Sequence, residues 1–176
     1  MSTGRVLVAG VGNILLGDDG FGVETVRRLG EHPLPDDVEL LDVGVRGVHL
    51  AYQALDGYRL LVLVDATARG GGPGTVYLIE PDAGPVEVPV LDGHRMGPDA
   101  VLALLGTLAA GTGGTLPGRV LVVGCEPESL DEGIGLSTPV AAAVEEAVRV
   151  VLRIVGAEEP TGAKADPQVE RETTAW

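Results

Sequence analysis

Apolar positions along this chain fall into short unbroken runs separated by longer stretches with helical spacing. Arg5–Ala9, Leu60–Val64 and Arg119–Val123 are apolar at nearly every position, as expected of strands buried on both faces. Val38–Val43 and Thr75–Ile79 read as two further strands. Phe21, Val23, Val26 and Leu29 form a helical stripe, with Arg27 and Arg28 outward and Gly30 as its stop. Val48–Leu55 predicts a short helix, and Pro98 suits the first turn of another running to about Ala109. Thr138-Pro139 opens a last helix whose Val140, Val144, Val148, Val151 and Val155 share one face. Val86–Arg95, bounded and broken by Pro85, Pro89, Asp92 and Gly93, predicts a loop.

The resulting order is β-α-β-α-β-β-α-β-α. Alternation of this kind predicts an α/β fold: a single three-layer sandwich with a mainly parallel, twisted five-stranded sheet and helices on both faces. Residues 1–156 form one domain in this reading. From residue 157 to 176 the chain is polar, carries Pro160, Gly162, Lys164 and Pro167, and predicts a disordered tail.

Composition narrows the picture. The 176 residues suit one ordinary domain, and aromatics at 3% mean that the core must be aliphatic. A formal charge of −14 argues against nucleic acid and anionic membrane as partners. No apolar run spans a bilayer and no secretory signal pattern is present, so a cytoplasmic protein is expected. Cys125 is the sole cysteine, which excludes an internal disulfide and a cysteine-based zinc cluster.

The chemistry concentrates after the first strand. Gly10-Val-Gly12 opens like a dinucleotide-binding turn, but the third glycine of that pattern would fall on Leu15. The acids that follow would also repel a pyrophosphate. Asp18 and Asp19 enter the next helix, where consecutive positions point about 100° apart, so one of them faces a site at most. Asp19 is taken as that residue and Asp18 as a bystander. Asp65 ends the buried third strand, and His94 lies in the Asp92-Gly-His-Arg-Met-Gly97 loop before a helix. In a parallel sheet all three turns open on one edge.

Two carboxylates and an imidazole suit a divalent first-row metal with positions left open for substrate. Such a metal polarises a carbonyl and lowers the pKa of bound water to about 7. The two acids alone could instead share a proton and activate water, as in aspartic peptidases. His32 and His49 read as structural, and Cys125 as a small buried hydrophobe rather than a nucleophile.

The segments Gly12-Asn-Ile-Leu-Leu-Gly-Asp-Asp-Gly-Phe-Gly22, Val64-Asp-Ala66, Gly93-His-Arg-Met-Gly97, Gly124-Cys-Glu-Pro-Glu-Ser-Leu130 and Gly135-Leu-Ser137 resemble the NiFe-hydrogenase maturation endopeptidases. The likeness covers about residues 5–155 in the right order. It implies an α/β sandwich and a peptidase that removes a C-terminal extension from the hydrogenase large-subunit precursor after nickel insertion. It also implies that Asp19, Asp65 and His94 form the metal-binding set and carry catalysis. The nickel ion (Ni2+) would arrive with the substrate, and free enzyme would hold a divalent metal only weakly. A nickel-checking chaperone that binds the precursor without cutting it, and a different hydrolase on a related frame, remain as alternatives.

Overall fold

The computed structural model describes residues 4–81 and 98–156, together with the backbone of Arg171–Glu172. Strands β1 (Val6–Val11), β2 (Val38–Gly44), β3 (Leu60–Ala66), β4 (Val76–Ile79) and β5 (Val120–Cys125) alternate with four α-helices. The helices are α1 (Phe21–Leu29), α2 (Gly47–Ala54), α3 (Pro98–Thr112) and α4 (Thr138–Val155). The sheet order is β2-β1-β3-β5-β4, extended at the β4 edge by the two-residue strand β6 (Arg171–Glu172). Strands β2, β1, β3 and β5 run parallel, whereas β4 is antiparallel to β5. The β3–β4 link carries no helix, and a parallel return needs a crossover of about a dozen residues or more.

Sheet periodicity builds two cores. Val6 and Val8 of β1 pack beneath α1 and α4, with Phe21, Val26, Leu29, Val144, Val148 and Val151. Leu7 and Ala9 face the other way, among Leu50 and Ala54 of α2 and Val101 and Leu105 of α3. This is the expected three-layer α/β sandwich. Full burial of each aliphatic side chain contributes about 1.5–3 kcal/mol, so runs of Val and Leu suffice with few aromatics. Among the described residues no helix is long and apolar enough to cross a membrane.

Several boundaries differ from the sequence reading: β1 and β3 each run two residues further than their apolar runs, to Val11 and Ala66. Strand β5 extends to Cys125, which therefore sits within the strand and fills a place in the α1–α4 core. Helix α3 runs on to Thr112, because nothing in Gly111-Thr112 stops it before Gly113 turns to positive φ. In the tail, Arg171–Glu172 lies parallel to β4. The loop expected at Val86–Arg95 and the rest of the tail lie outside the described residues.

The topology creates a switch point. From β1 the chain passes through α1 to β2 on one side, while β3 leads towards β5 on the other. Crevices at such reversals, outside the carboxyl ends of the strands, are where open α/β sheets bind ligands. Here the crevice is flanked by the β1–α1 turn and the end of β3. That approach is very close: a Cβ at Gly22 would overlap the Val64 carbonyl oxygen and lie 2.5 Å from that of Val11. Both contacts are with backbone, which cannot swing away. Gly22→Ala is expected to destabilise the fold by about 3 kcal/mol or more, at the upper end of overpacking costs. A fall in the urea midpoint, at unchanged slope, measures it. A midpoint equal to wild type would show that α1 has room to retreat.

Candidate active site

Asp65 is the most unusual residue at this edge. It ends the buried run Leu60–Val64 and is itself only 4% exposed. Its Oδ1 is the one buried side-chain polar atom, among the described residues, that lacks a hydrogen-bond partner. Leaving a buried acceptor unpaired costs about 1–3 kcal/mol, so the fold gains nothing from it in this state. Burial pushes its pKa well above the usual carboxylate range, and the charge of Asp19 pushes it further. A backbone N–H bond from Ala66 opposes both effects without cancelling them.

Asp19 comes from a four-residue 3-10 turn, Gly17–Gly20, between β1 and α1. It is half-buried, and its Oδ2 accepts the Asn13 N–H at 2.8 Å. Gly12 makes room for the pair. Its φ of +132° is open to glycine alone, and a Cβ there would overlap the Asp19 carbonyl and lie 3.5 Å from Asp65 Oδ1. The structure therefore brings Asp19 and Asp65 together, as their sequence positions predict. His94 lies outside the described residues.

A buried acid with a raised pKa beside a second carboxylate is an arrangement in which one group can donate while the other accepts. The unpaired oxygen and its neighbour are equally a pair of hard oxygen donors, suited to a divalent cation. Among the described residues no three His, Cys, Asp or Glu side chains gather closely enough to form a ligand set. A metal held by Asp19 and Asp65 would need further donors from elsewhere.

Asp18 is not the bystander expected from the sequence. It is fully buried, and its carboxylate accepts four hydrogen bonds: from the N–H groups of Glu128, Ser129 and Ser137, and from Ser137 Oγ. Burial disfavours its ionised form, but the N–H bonds outweigh burial and hold the pKa below its usual value. The two acids lie in a 3-10 turn rather than in the helix that the sequence suggested, and the one expected to be idle is buried in the protein.

Glu126 was missed altogether. It is 6% exposed and accepts bonds from the Arg69 and Gly70 N–H groups and from the Tyr77 hydroxyl, which anchors the loop after β3. The same signal that marks Asp65, an apolar strand stopping on an acid, was present in Val120–Glu126. Cys125 is wholly buried, and burial pushes its thiol up to about 12, which removes it as a nucleophile. His32 follows α1 at the opposite edge of the sheet, and His49 lies exposed on α2.

Comparison with known proteins agrees with the fold. The family model described as "Hydrogenase maturation protease" matches residues 23–154. The hydrogenase expression/formation protein HoxM of Azotobacter vinelandii is 35% identical, over 97% of this chain and 82% of its own. The hydrogenase 2 maturation protease of Escherichia coli is 37% identical, over 84% of this chain and 88% of its own. The solved structure of the Escherichia coli hydrogenase maturating endopeptidase HybD superposes with a TM-score of 0.67 at 38% identity, covering 86% of this chain and 94% of that one.

Asp65 sets a pH dependence whose sign is fixed. Its folded pKa is raised, so the folded chain binds this proton more tightly than the unfolded chain. That contribution is complete below the unfolded value of about 4 and is lost as pH rises through the folded pKa. Asp65→Asn mimics the protonated acid. Its stability should match wild type near pH 4 and exceed it as pH rises above that, as read from urea midpoints. A constant difference across that range would contradict the buried, proton-retaining state.

Proposed function

The chain belongs to the hydrogenase maturation protease family, and on that premise we propose that it removes the C-terminal extension of a hydrogenase large-subunit precursor once nickel has been inserted. The observation that carries this reading is the unpartnered Asp65 Oδ1, buried at the switch point and facing the charge of Asp19. An acceptor left open by the fold is suited to being completed by the substrate. In this reading the nickel already seated in the precursor is met by Asp19, Asp65 and His94. The scissile peptide bond is thereby held beside the two acids, where a water molecule attacks its carbonyl. The proton released by that water passes to a carboxylate of the pair, and the leaving amine takes one up.

The surroundings fit a macromolecular substrate. Ile14, Leu15 and Ile134, 54%, 57% and 86% exposed, rim the turn that carries Asp19. An open groove of about 530 Å³ runs from Gly17 and Gly20 between α1 and the start of α4, lined by Val23, Leu136, Ala141 and Val144 and by the charged Glu24, Arg27, Arg28 and Asp42. Apolar rims of this kind are characteristic of surfaces that receive another chain.

Purified protein should shorten nickel-loaded precursor and leave nickel-free precursor intact, as read by mass spectrometry. Equal cleavage of both would remove nickel from recognition, and binding without any mass change would make the protein a chaperone. Asp19→Asn and Asp65→Asn should each lower turnover by about 10² or more, the usual loss for an acid–base group. Cys125→Ala should keep turnover within about twofold, since an un-ionised buried thiol has no part in the reaction.

A further inference from the structure

Asp18 performs a task that the proposed reaction does not use. Among the described residues Asp19 is tied only locally: its carboxylate accepts Asn13 N–H and its own N–H reaches the Leu16 carbonyl. Those bonds shape the turn without fixing where it sits relative to β3. The bonds of Asp18 do fix it. They reach residues 110 to 119 positions away, in the loop between β5 and α4. Backbone bonds reinforce the join: Gly17 N–H to Gly133 O and Gly133 N–H to Leu15 O at 2.9 Å each, and Asp18 N–H to Ser129 O at 3.0 Å. Gly17 lies so near Ser129 that a Cβ there would come within 2.9 Å of its carbonyl.

We propose that Asp18 is a positioning residue, whose four hydrogen bonds to Glu128, Ser129 and Ser137 lock the β1–α1 turn onto the β5–α4 loop and so set Asp19 against Asp65. This rests on the proposed function for its kinetic readout, but its structural readout does not. The full acceptor capacity of a carboxylate is needed here. In Asp18→Asn an NH2 group replaces one oxygen and must face at least one of the converging N–H groups, so the lock loosens. The turn then shifts while β1, β3 and α1 remain in place. Misplacing a reacting group by about 1 Å can cost about 10² in rate.

The test compares wild type, Asp18→Asn and Ser137→Ala, all well below their melting temperatures. The Asn13 amide serves as the reporter, because its hydrogen bond ends on Asp19 itself. Asp18→Asn should speed exchange of that amide by about tenfold or more and lower kcat for the nickel-loaded precursor by a similar factor, with KM within about twofold. Ser137→Ala, which removes the hydroxyl bond alone, should move both quantities the same way by a smaller factor. Wild-type exchange at Asn13 and wild-type kcat in Asp18→Asn, with only the melting temperature lowered, would reduce Asp18 to a structural brace and overturn the proposal. Should Asp18→Asn fail to fold, Ser137→Ala decides, and an unchanged Asn13 amide overturns it. Failure of the wild-type protein to cleave any precursor would sink the proposed function, while the Asn13 amide would still report on the lock.

Discussion

The site depends on how closely the first turn of α1 lies against the ends of β1 and β3. Gly10, Gly12 and Gly22 supply that contact by having no side chains to separate the backbones. With any Cβ at Gly22, α1 would have to move off the sheet, and the turn before it would carry Asp19 away from Asp65. The two aliphatic cores hold the helices from below, but they fix the layers to within a side chain's width. The backbone contacts at the edge fix the acids more tightly than that.

Three acids are buried at this edge, and they differ in what satisfies them. Asp18 and Glu126 are each surrounded by donors, so their charge is compensated and their role is to tie loops together. Among the described residues Asp65 has Ala66 on one side and no partner on Oδ1. The physical cost of an unpaired buried oxygen sets Asp65 apart from the other two. Burial alone would not, because all three are almost equally hidden from solvent.

Much of the fold was legible because parallel strands are buried on both faces and leave unbroken apolar runs. The stripe of valines on α4 and the extent of α1 were read almost to the residue. The ends of β5 and α3 were not, since Gly124-Cys125 and Gly111-Thr112 carry no sign that a ladder or helix continues through them. Asp19 and Asp65 were legible from topology, which places strand ends on one edge. The tasks of Asp18 and Glu126 were not, because their partners are backbone N–H groups in loops, and a backbone donor leaves no mark in the sequence.

The loop between β5 and α4 is held at Glu128, Ser129, Gly133 and Ser137, yet Ile134 stands almost wholly in solvent between two glycines at which a Cβ would meet open space. Constraint and freedom are thus divided within ten residues. The pinned positions cannot accept insertions without pulling the turn that they grip. Ile134 can change its size or polarity at little cost to the fold. Over evolutionary time this permits the exposed surface there to drift, residue by residue, while the spacing of the two acids stays as it was.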